Sequence, residues 1–172
     1  MEAEMTELQN SSGPTVSVVG GSTSDFPLLR QATEILDQLA IDNELRVVSA
    51  HRTPDWLYEY AETAENRGIK VIIAGAGGAA HLPGMLAAKT IIPVIGVPVP
   101  LEYLKGMDSL MSIVQMPRGV PVATVAIGGA ENAAILAAEI IAVSDSKVRD
   151  KLRSWRENLT ETVLKNPEAK GD

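Results

Sequence analysis

Residues 45–54, LRVVSAHRTP, join a short apolar run to the start of a helix. A strand is predicted at 45–48, because four mostly apolar residues with two adjacent valines are typical of a buried strand. Thr53 is the predicted N-cap of the helix that follows. Pro54 suits the first turn of that helix, where a missing N–H group costs no hydrogen bond. The stretch therefore indicates a strand that leads directly into a helix.

The same strand-then-helix unit recurs along the chain. Strands are predicted at 15–19, 45–48, 70–74, 93–97 and 120–127. Helices are predicted at 26–39 with Ser24 or Asp25 as N-cap, at 54–67 with Gly68 as the stop, from Pro83 to about 89, at 107–115, at 130–143 and at 147–165. Short connections between such units favour right-handed crossovers. We therefore predict an α/β fold with a five-stranded parallel sheet and helices on both faces.

The pattern indicates one catalytic domain at residues 15–166, including the C-terminal helix at 147–165. Residues 1–14 are polar and acidic and are predicted to be a disordered leader, and residues 167–172 are predicted to be a tail. The last helix carries an apolar stripe of Leu152, Trp155, Leu159 and Val163. That stripe could pack on another subunit or on its own domain, and the pattern leaves both arrangements open.

The composition excludes several classes of function. The 172 residues are 45% hydrophobic, which is enough for a packed core, and the absence of cysteine excludes thiol nucleophiles and Cys-based zinc sites. A net charge of −7 with 3% aromatic residues argues against nucleic-acid binding. No apolar run reaches the roughly 18 residues that a membrane helix needs. We expect a soluble, cytoplasmic protein without a nucleic-acid or membrane partner.

The carboxyl ends of the predicted strands are the expected place for a ligand, as in other open parallel sheets. Small residues follow every predicted strand, at 20–22, 49–51, 75–78, 96–98 and 128–129. The first turn, GGSTSD at residues 20–25, could hold a phosphate on its N–H groups and hydroxyls. Alternatively, Ser22, Ser24 and Asp25 only cap the helix, or Asp25 binds ribose hydroxyls. The turn matches neither common nucleotide-binding glycine motif.

Both histidines of the chain, His51 and His81, fall at the ends of predicted strands. An imidazole can give and take a proton near neutral pH, so this placement favours a role in proton transfer. Arg52 beside His51 could bind a phosphate or carboxylate, or could simply be solvated. Two histidines without well-placed carboxylates make a poor metal site, so we expect no metal.

Five motifs in the chain resemble one enzyme family. GGSTSD, SAHRTP, AGAGGAAHLPGM, PVIGVPV and DSLMSIVQMPRGVPVATVAIG, in this order and spacing, closely resemble the 5-(carboxyamino)imidazole ribonucleotide mutase family of purine biosynthesis. The similarity covers residues 16–138, and the terminal helix at 152–164 also looks alike. It implies a flavodoxin-like three-layer αβα sandwich with an extra C-terminal helix, assembled as a homo-octamer with active sites at subunit contacts. It also implies no cofactor.

The reaction implied by the resemblance moves a carboxylate from the exocyclic nitrogen of an aminoimidazole ribonucleotide to ring carbon 4. His51 matches the histidine that transfers the proton in this reaction. Arg52 matches the arginine that binds the phosphate. Ser22, Ser24 and Asp25 match the turn that holds the phosphoribosyl group.

The resemblance assigns the other site residues to three places. Ser49 and Ala50 match contacts beside the arginine, while Ala76, Gly77 and Gly78 match the loop over the imidazole, and His81 and Leu82 match a second loop near the reacting carboxylate. His81 is the second predicted catalytic residue.

Two other functions stay open from the sequence. The related direct carboxylases act on the bare aminoimidazole ribonucleotide with carbon dioxide, and we expect them to carry Lys-Gly where this chain has Arg52 and Thr53. A non-catalytic domain that binds a phosphorylated ligand would share the fold. The joint presence of His51, Arg52 and His81 argues against that reading, because binding alone needs no proton carrier.

Overall fold

A five-stranded parallel sheet with helices on both faces forms the centre of the molecule in the computed structural model, which describes residues 13–165. Its strands are β1 (Val16–Gly20), β2 (Asn43–Val47), β3 (Val71–Gly77), β4 (Val94–Val99) and β5 (Ala123–Thr124). The helices are α1 (Phe26–Gln38), α2 (Pro54–Glu62), α3 (Leu82–Ala87), α4 (Met107–Val114), α5 (Ala130–Ala142) and α6 (Ser146–Lys165). Short 3-10 turns occupy Thr23–Asp25 and Glu65–Arg67.

The strand order is β2-β1-β3-β4-β5, and every pairing is parallel. This is the flavodoxin-like order, and it confirms the predicted sheet. After β2 the chain crosses to the other side of β1, so the order reverses between β1 and β3. Gly20 at the end of β1 pairs with Val47 on one side and Gly75 on the other. The carboxyl ends that meet at the reversal are therefore level with one another.

Two apolar layers cover the faces of the sheet. Val18, Ile73 and Ile95 point to the face covered by α1, α5 and the start of α6, where they join one buried cluster. Val19 and Ile72 point to the opposite face, where a second cluster contains residues of α2, α3 and α4. Successive strand residues alternate between the faces because the side-chain period of a strand is two.

Several strand boundaries differ from the prediction. β3 continues to Gly77 and β4 to Val99, because these two residues still pair with each other. The small residues that look like a turn in the sequence are thus partly strand. β5 spans only two residues instead of 120–127. It is an edge strand that pairs with β4 alone, and Pro121 before it has no N–H group to donate.

The turn before α1 has a cap of its own, and the predicted N-cap position of the helix is confirmed. Ser22 caps the 3-10 turn: its Oγ accepts from the Ser24 N–H at 3.3 Å, and Asp25 Oδ2 accepts from the Ser22 N–H at 3.1 Å. Asp25 stands at the N-cap position of α1, but its side chain makes no capping bond to that helix. Thr53 is the N-cap residue of α2, as predicted, although its hydroxyl donates to Ser49 O instead.

The second helix, α2, is shorter than predicted. It ends at Glu62, and the Glu65–Arg67 turn continues the chain to Gly68, which adopts a left-handed conformation with φ of 85°. Gly68 therefore ends the segment, as predicted.

The terminal helix divides into a packed and an uncovered half. Asp145 caps it by accepting from the N–H groups of Lys147 and Val148 at 2.9 and 3.2 Å. Leu152 is buried against the core, whereas Leu159 is 52% exposed, and Val163 and Leu164 are more exposed still. The first half thus packs on its own domain, and the second half of the apolar stripe has no cover within the described chain.

The predicted tail and nearly all of the predicted leader lie outside the described residues. The assignment of residues 15–166 to a single catalytic domain stays a prediction. Within residues 13–165, no helix combines the length and apolar character needed to cross a membrane.

Candidate active site

A cavity of about 320 Å³ lies at the carboxyl edge of the sheet, where the strand order reverses. It is lined by residues at or after the carboxyl ends of β1, β2 and β3, together with one leucine from the segment after β4: Gly21, Ser22, Ser24, Asp25, Ser49, Ala50, His51, Arg52, Ala76, Gly77, Ala79, His81, Leu82 and Leu101. Every predicted site residue except Gly78 is among them. The structure thus brings together side chains as far apart in the chain as Ser22 and Leu101.

The two histidines contact each other in this cavity. His51 Nε2 and His81 Nδ1 are 2.7 Å apart, and the rings meet edge to face with their centroids at 4.9 Å. A neutral imidazole has one N–H donor and one acceptor nitrogen, so one proton lies between the rings. The neutral pair therefore leaves one donor and one acceptor among its two outer nitrogens. Such a pair can give a proton at one atom and take a proton at another.

Arg52 is held between the turn after β1 and the segment after β2. Its Nε donates to Ser49 Oγ at 3.0 Å, and its Nη2 donates to the carbonyl of Gly21. Ser49 is buried, whereas the arginine itself is exposed to the cavity. The two hydrogen bonds fix a permanent cation beside the turn at residues 20–25, which favours the binding of an anion.

Asp25 is a buried carboxyl group at the same end of the cavity. Burial raises the pKa of Asp25, and hydrogen bonds from the backbone of Ser22 and Gly21 and the charge of Arg52 offset only part of that effect. The ionised form is therefore less favourable here than in water. A buried carboxyl group with a raised pKa in a cleft is typical of a functional site.

Leu101, which follows β4, also lines the cavity and was not among the predicted site residues. Leu101 lies over Gly77, and a Cβ atom at Gly77 would come within 3.0 Å of its Cγ. Glycine at position 77 thus leaves room for a leucine that no local motif marks. Gly21 and Ala79 were also missed, although both lie inside predicted motifs.

Gly78, the exception among the predicted residues, faces α4 instead of the cavity. Its N–H donates to Ser109 Oγ at 2.9 Å, and its carbonyl accepts from Ser112 Oγ at 3.3 Å. Ser109 is completely buried on the same helix face as Ile113. The sequence signal for this contact was a serine four residues before a core isoleucine. Residues four apart share one face of a helix, so the serine was expected to be buried together with the isoleucine.

The charges of the cavity favour an anionic ligand over a metal ion. Across the part of the chain that the structure describes, no three His, Cys, Asp or Glu side chains lie together as a metal site. The cavity instead offers the cation of Arg52 beside the turn after β1, together with an imidazole pair. This arrangement can bind a phosphorylated compound and exchange protons with it.

A family model described as AIR carboxylase matches residues 15–162. The chain belongs to the AIR carboxylase family. Its curated relatives in this family include the N5-carboxyaminoimidazole ribonucleotide mutase of Bacillus subtilis (strain 168), which is 61% identical over 155 residues, or 89% of this chain and 96% of the relative. The enzyme of the same name from Escherichia coli (strain K12) is 56% identical over 158 residues, or 91% of this chain and 94% of the relative.

Solved structures include the same AIR carboxylase fold. The crystal structure of Treponema denticola PurE superposes with a TM-score of 0.82 at 27% identity, and the match covers 92% of this chain and 99% of that one. Both the sequence relatives and this structure confirm the resemblance to the mutase family and the flavodoxin-like fold. The roles of the individual site residues stay predictions.

Proposed function

We propose that this member of the AIR carboxylase family is an N5-carboxyaminoimidazole ribonucleotide mutase, an isomerase of purine biosynthesis. It moves the carboxylate of 5-(carboxyamino)imidazole ribonucleotide from the exocyclic nitrogen to ring carbon 4, giving 5-amino-4-carboxyimidazole ribonucleotide. The observation that carries the proposal is the placement of Arg52 and the His51–His81 pair in one cavity. Relatives that are 56–61% identical and bear the name of this enzyme support it.

The phosphoribosyl group binds at the turn after β1. Arg52 supplies the positive charge, and Ser22 and Ser24 line the same cavity. Ser22 Oγ already accepts from the N–H and the hydroxyl of Ser24, so its own hydrogen is available to a phosphate oxygen. Asp25 is placed to accept a ribose hydroxyl. Ser49 holds Arg52, and Ala50 leaves space beside it.

The histidine pair carries the proton exchange. When the exocyclic nitrogen–carbon bond breaks, carbon dioxide leaves and the nitrogen gains a proton. When carbon dioxide then bonds to carbon 4, that carbon loses its proton. The two proton movements cancel, so the reaction needs no oxidant, reductant or net acid. His51 gives the first proton and takes the second, and its contact with His81 fixes which of its nitrogens carries the hydrogen.

Small and apolar residues form the rest of the wall. Ala76, Gly77 and Leu82 line the cavity, with Leu101 above Gly77. They have no side-chain group that reacts with carbon dioxide or displaces it by hydrogen bonding. The freed carbon dioxide therefore stays beside carbon 4 long enough to react.

The decisive experiment is the His51→Asn variant, assayed with 5-(carboxyamino)imidazole ribonucleotide. Asparagine keeps a planar polar side chain but cannot cycle a proton, so we expect kcat to fall by about 100-fold or more. Circular dichroism and native mass should match the unchanged protein. A folded His51→Asn protein with normal turnover would remove His51 from the mechanism.

A direct carboxylase is the second candidate, because the matching family is described by that activity. Assays of the carboxyamino substrate and of the bare aminoimidazole ribonucleotide with bicarbonate, run side by side, separate the two. We expect turnover only of the carboxyamino compound at low bicarbonate concentration. Faster turnover of the bare compound would favour the carboxylase.

We also propose that the protein works as a homo-octamer in the cytoplasm. Exposed apolar side chains support a subunit interface at two places: Leu159 and Val163 on α6, and Leu104 and Met111 in the segment after β4 that includes α4. The absence of cysteine suits a reducing compartment. Sedimentation should give eight times the chain mass of 18.3 kDa, and cell fractionation should recover the protein with cytoplasmic markers. A monomer at micromolar concentration would contradict the assembly.

A further inference from the structure

We propose that Ser109 and Ser112 of α4 are positioning residues that hold the loop after β3 and, through it, keep His81 against His51. The proposal rests on the proposed function, since it concerns the same cavity. Neither serine lines that cavity. Both bind Gly78, at the start of the loop that carries His81.

Ser109 joins three separate parts of the chain. Its hydroxyl donates to the carbonyl of Val99, the last residue of β4, at 2.8 Å. The same oxygen accepts from the N–H group of Gly78 at 2.9 Å. Its own backbone N–H donates to Asp108 Oδ1 at 2.9 Å. Because Ser109 is completely buried, water cannot replace these partners.

Ser112 holds the other side of the same peptide. Its hydroxyl lies 2.7 Å from the carbonyl of Asp108 and 3.3 Å from the carbonyl of Gly78, and shares its hydrogen between them. The hydrogen bond from Ser112 to the Gly78 carbonyl is longer and more exposed to solvent than the hydrogen bonds of the Ser109 hydroxyl. Ser112 therefore contributes less than Ser109 to holding the loop.

Gly78 needs these bonds because the strand ladder ends just before it. β3 finishes at Gly77, which is the last residue paired with β4. Gly78 then adopts a left-handed conformation with φ of 63°, so the chain turns sharply away from the sheet. Two residues later Ala80 is buried, and His81 follows directly. A shift of Gly78 would therefore also move the His81 ring, because only a short stretch of chain separates the two residues.

Loss of the hydroxyl at position 109 removes the partners of Gly78 N–H and of Val99 C=O at once. Those two groups must then find other partners, and the loop moves to reach them. A displacement of about 1 Å at a reacting group can lower a rate by about 100-fold. We expect Ser109→Ala to lower kcat by roughly 10- to 100-fold. Ser112→Ala should lower it by only about two- to fivefold, since its bond is longer.

The binding of the phosphate should be largely spared. α4 packs against β3, β4 and β5, whereas Arg52 and the turn at residues 20–25 follow β2 and β1, the two strands at the other edge of the sheet. KM in Ser109→Ala should therefore change by less than about threefold. A lower kcat at nearly constant KM separates misplacement of the histidines from general loss of the binding site.

The test measures activity and the histidine contact independently. The chain has two histidines, so solid-state NMR of protein labelled with ¹⁵N-histidine contains only two ring systems. In the unchanged protein, the ¹⁵N resonances of His51 Nε2 and His81 Nδ1 should show that these two nitrogens share a hydrogen bond. We call this the histidine signal. The variants are Ser109→Ala, Ser109→Cys and Ser112→Ala. The control is Ser144→Ala, which removes a serine hydroxyl-to-carbonyl bond, to Ile141 O, at a residue that does not line the cavity.

We expect kcat and the strength of the histidine signal to fall together, in the order unchanged protein, Ser112→Ala, Ser109→Cys, Ser109→Ala. The thiol keeps the shape of the serine and a weak donor, so cysteine should rescue part of both readouts. Ser144→Ala should change neither. If Ser109→Ala fails to fold, Ser112→Ala and Ser109→Cys decide the matter.

Two results would overturn the proposal. One is normal kcat with a normal histidine signal in the folded Ser109 variants. The other is a loss of kcat while the histidine signal is unchanged, which would mean that the serines act on another part of the site. The histidine signal is read without substrate, so failure of the mutase assignment would leave this part of the test intact.

Discussion

Replacing Tyr60 with phenylalanine tests how the chain stabilises the ends of β1 and β2 away from the cavity. The Tyr60 hydroxyl donates to Glu44 Oε1 at 2.5 Å. Because its single hydrogen goes there, the hydrogen bond between Tyr60 and Ser17 has the Ser17 hydroxyl as its donor. Ser17 is completely buried and Tyr60 nearly so, while Arg67 lies over the phenol ring at 4.3 Å and also pairs with Glu44.

Tyr60→Phe keeps the ring but removes both bonds of the hydroxyl. A hydrogen bond to a charged group contributes about 1.5–3 kcal/mol, and an unpaired buried hydroxyl, here that of Ser17, costs about 1–3 kcal/mol. The contact of Arg67 with the ring and its ion pair with Glu44 persist. We expect the free energy of unfolding to fall by roughly 2–4 kcal/mol. Of the roughly 5–15 kcal/mol that is usual for a domain, this is a large share.

The assay is urea unfolding at one fixed protein concentration, because assembly would make stability depend on concentration. Ser17→Ala and the double variant complete a mutant cycle. Ser17→Ala should cost only about 1 kcal/mol, because Tyr60 keeps its acceptor. The double variant should be more stable than the sum of the single effects predicts, by about 1–2 kcal/mol, since it leaves no orphaned hydroxyl.

Tyr58→Phe on the same helix is the matched control. The structure gives the Tyr58 hydroxyl no hydrogen bond within the described chain, and its ring lies under Lys89 at 4.5 Å. That variant should lose less than about 0.5 kcal/mol. The network lies about 10 Å below the carboxyl end of β1, so kcat should be unchanged in all four proteins. Additive effects in the cycle, or a Tyr60→Phe cost below about 1 kcal/mol, would refute the reasoning.

Four further predictions concern charge and assembly. Burial would raise the pKa of Glu44, but hydrogen bonds from Tyr60 and two arginines outweigh burial and lower that pKa below 4.5. The stabilisation by Glu44 is therefore present above pH 4.5 and lost as the pH falls further. In Glu44→Gln, the free energy of unfolding should fall less steeply as the pH is lowered. The raised pKa of Asp25 has the opposite sign, because its contribution is present below pH 3.8 and lost as the pH rises through the folded value. Asp25→Asn should therefore unfold at the same or a higher temperature at pH 7 while KM rises. Arg52→Lys keeps the charge but not the planar fork, so KM should rise by about tenfold with kcat little changed. Leu159→Glu should lower the mass measured by light scattering, and an unchanged mass would remove α6 from the interface.

The sequence predicts the sheet well because each strand-then-helix unit carries its own local signal. Apolar runs and the proline at position 54 mark the elements without reference to the rest of the chain. The predicted ends of β3 and β4 were wrong, because pairing with the neighbouring strand decides where each of these strands ends. Gly77 looks like part of a turn, yet it is held in the ladder by Val99. Tertiary contact overrides local propensity there.

The sequence predicts which residues line the cavity, but it does not predict how their side chains contact one another. Spacing alone puts His51 and His81 at one edge of the sheet, because all carboxyl ends of parallel strands meet there. No local pattern contains the side-chain directions on which the contacts depend. These contacts are the hydrogen bond between the two histidines, the hydrogen bond of Arg52 to Ser49, and the position of Leu101 over Gly77. Ser109 shows the same limit, because its partners come from two different strands' ends.

The turn at residues 20–25 shows why capping and ligand binding are not true alternatives. Ser22 accepts two bonds from Ser24 and thereby caps the turn, as the simpler reading requires. That capping uses the lone pairs of the Ser22 hydroxyl and leaves its hydrogen free, and a phosphate oxygen needs a donor of that kind. The capped turn also lies beside Arg52 in the lining of the cavity. A Ser22→Ala variant should therefore lose stability and phosphate affinity together, whereas Ser22→Asp, which keeps an acceptor for the cap but repels phosphate, should lose only affinity.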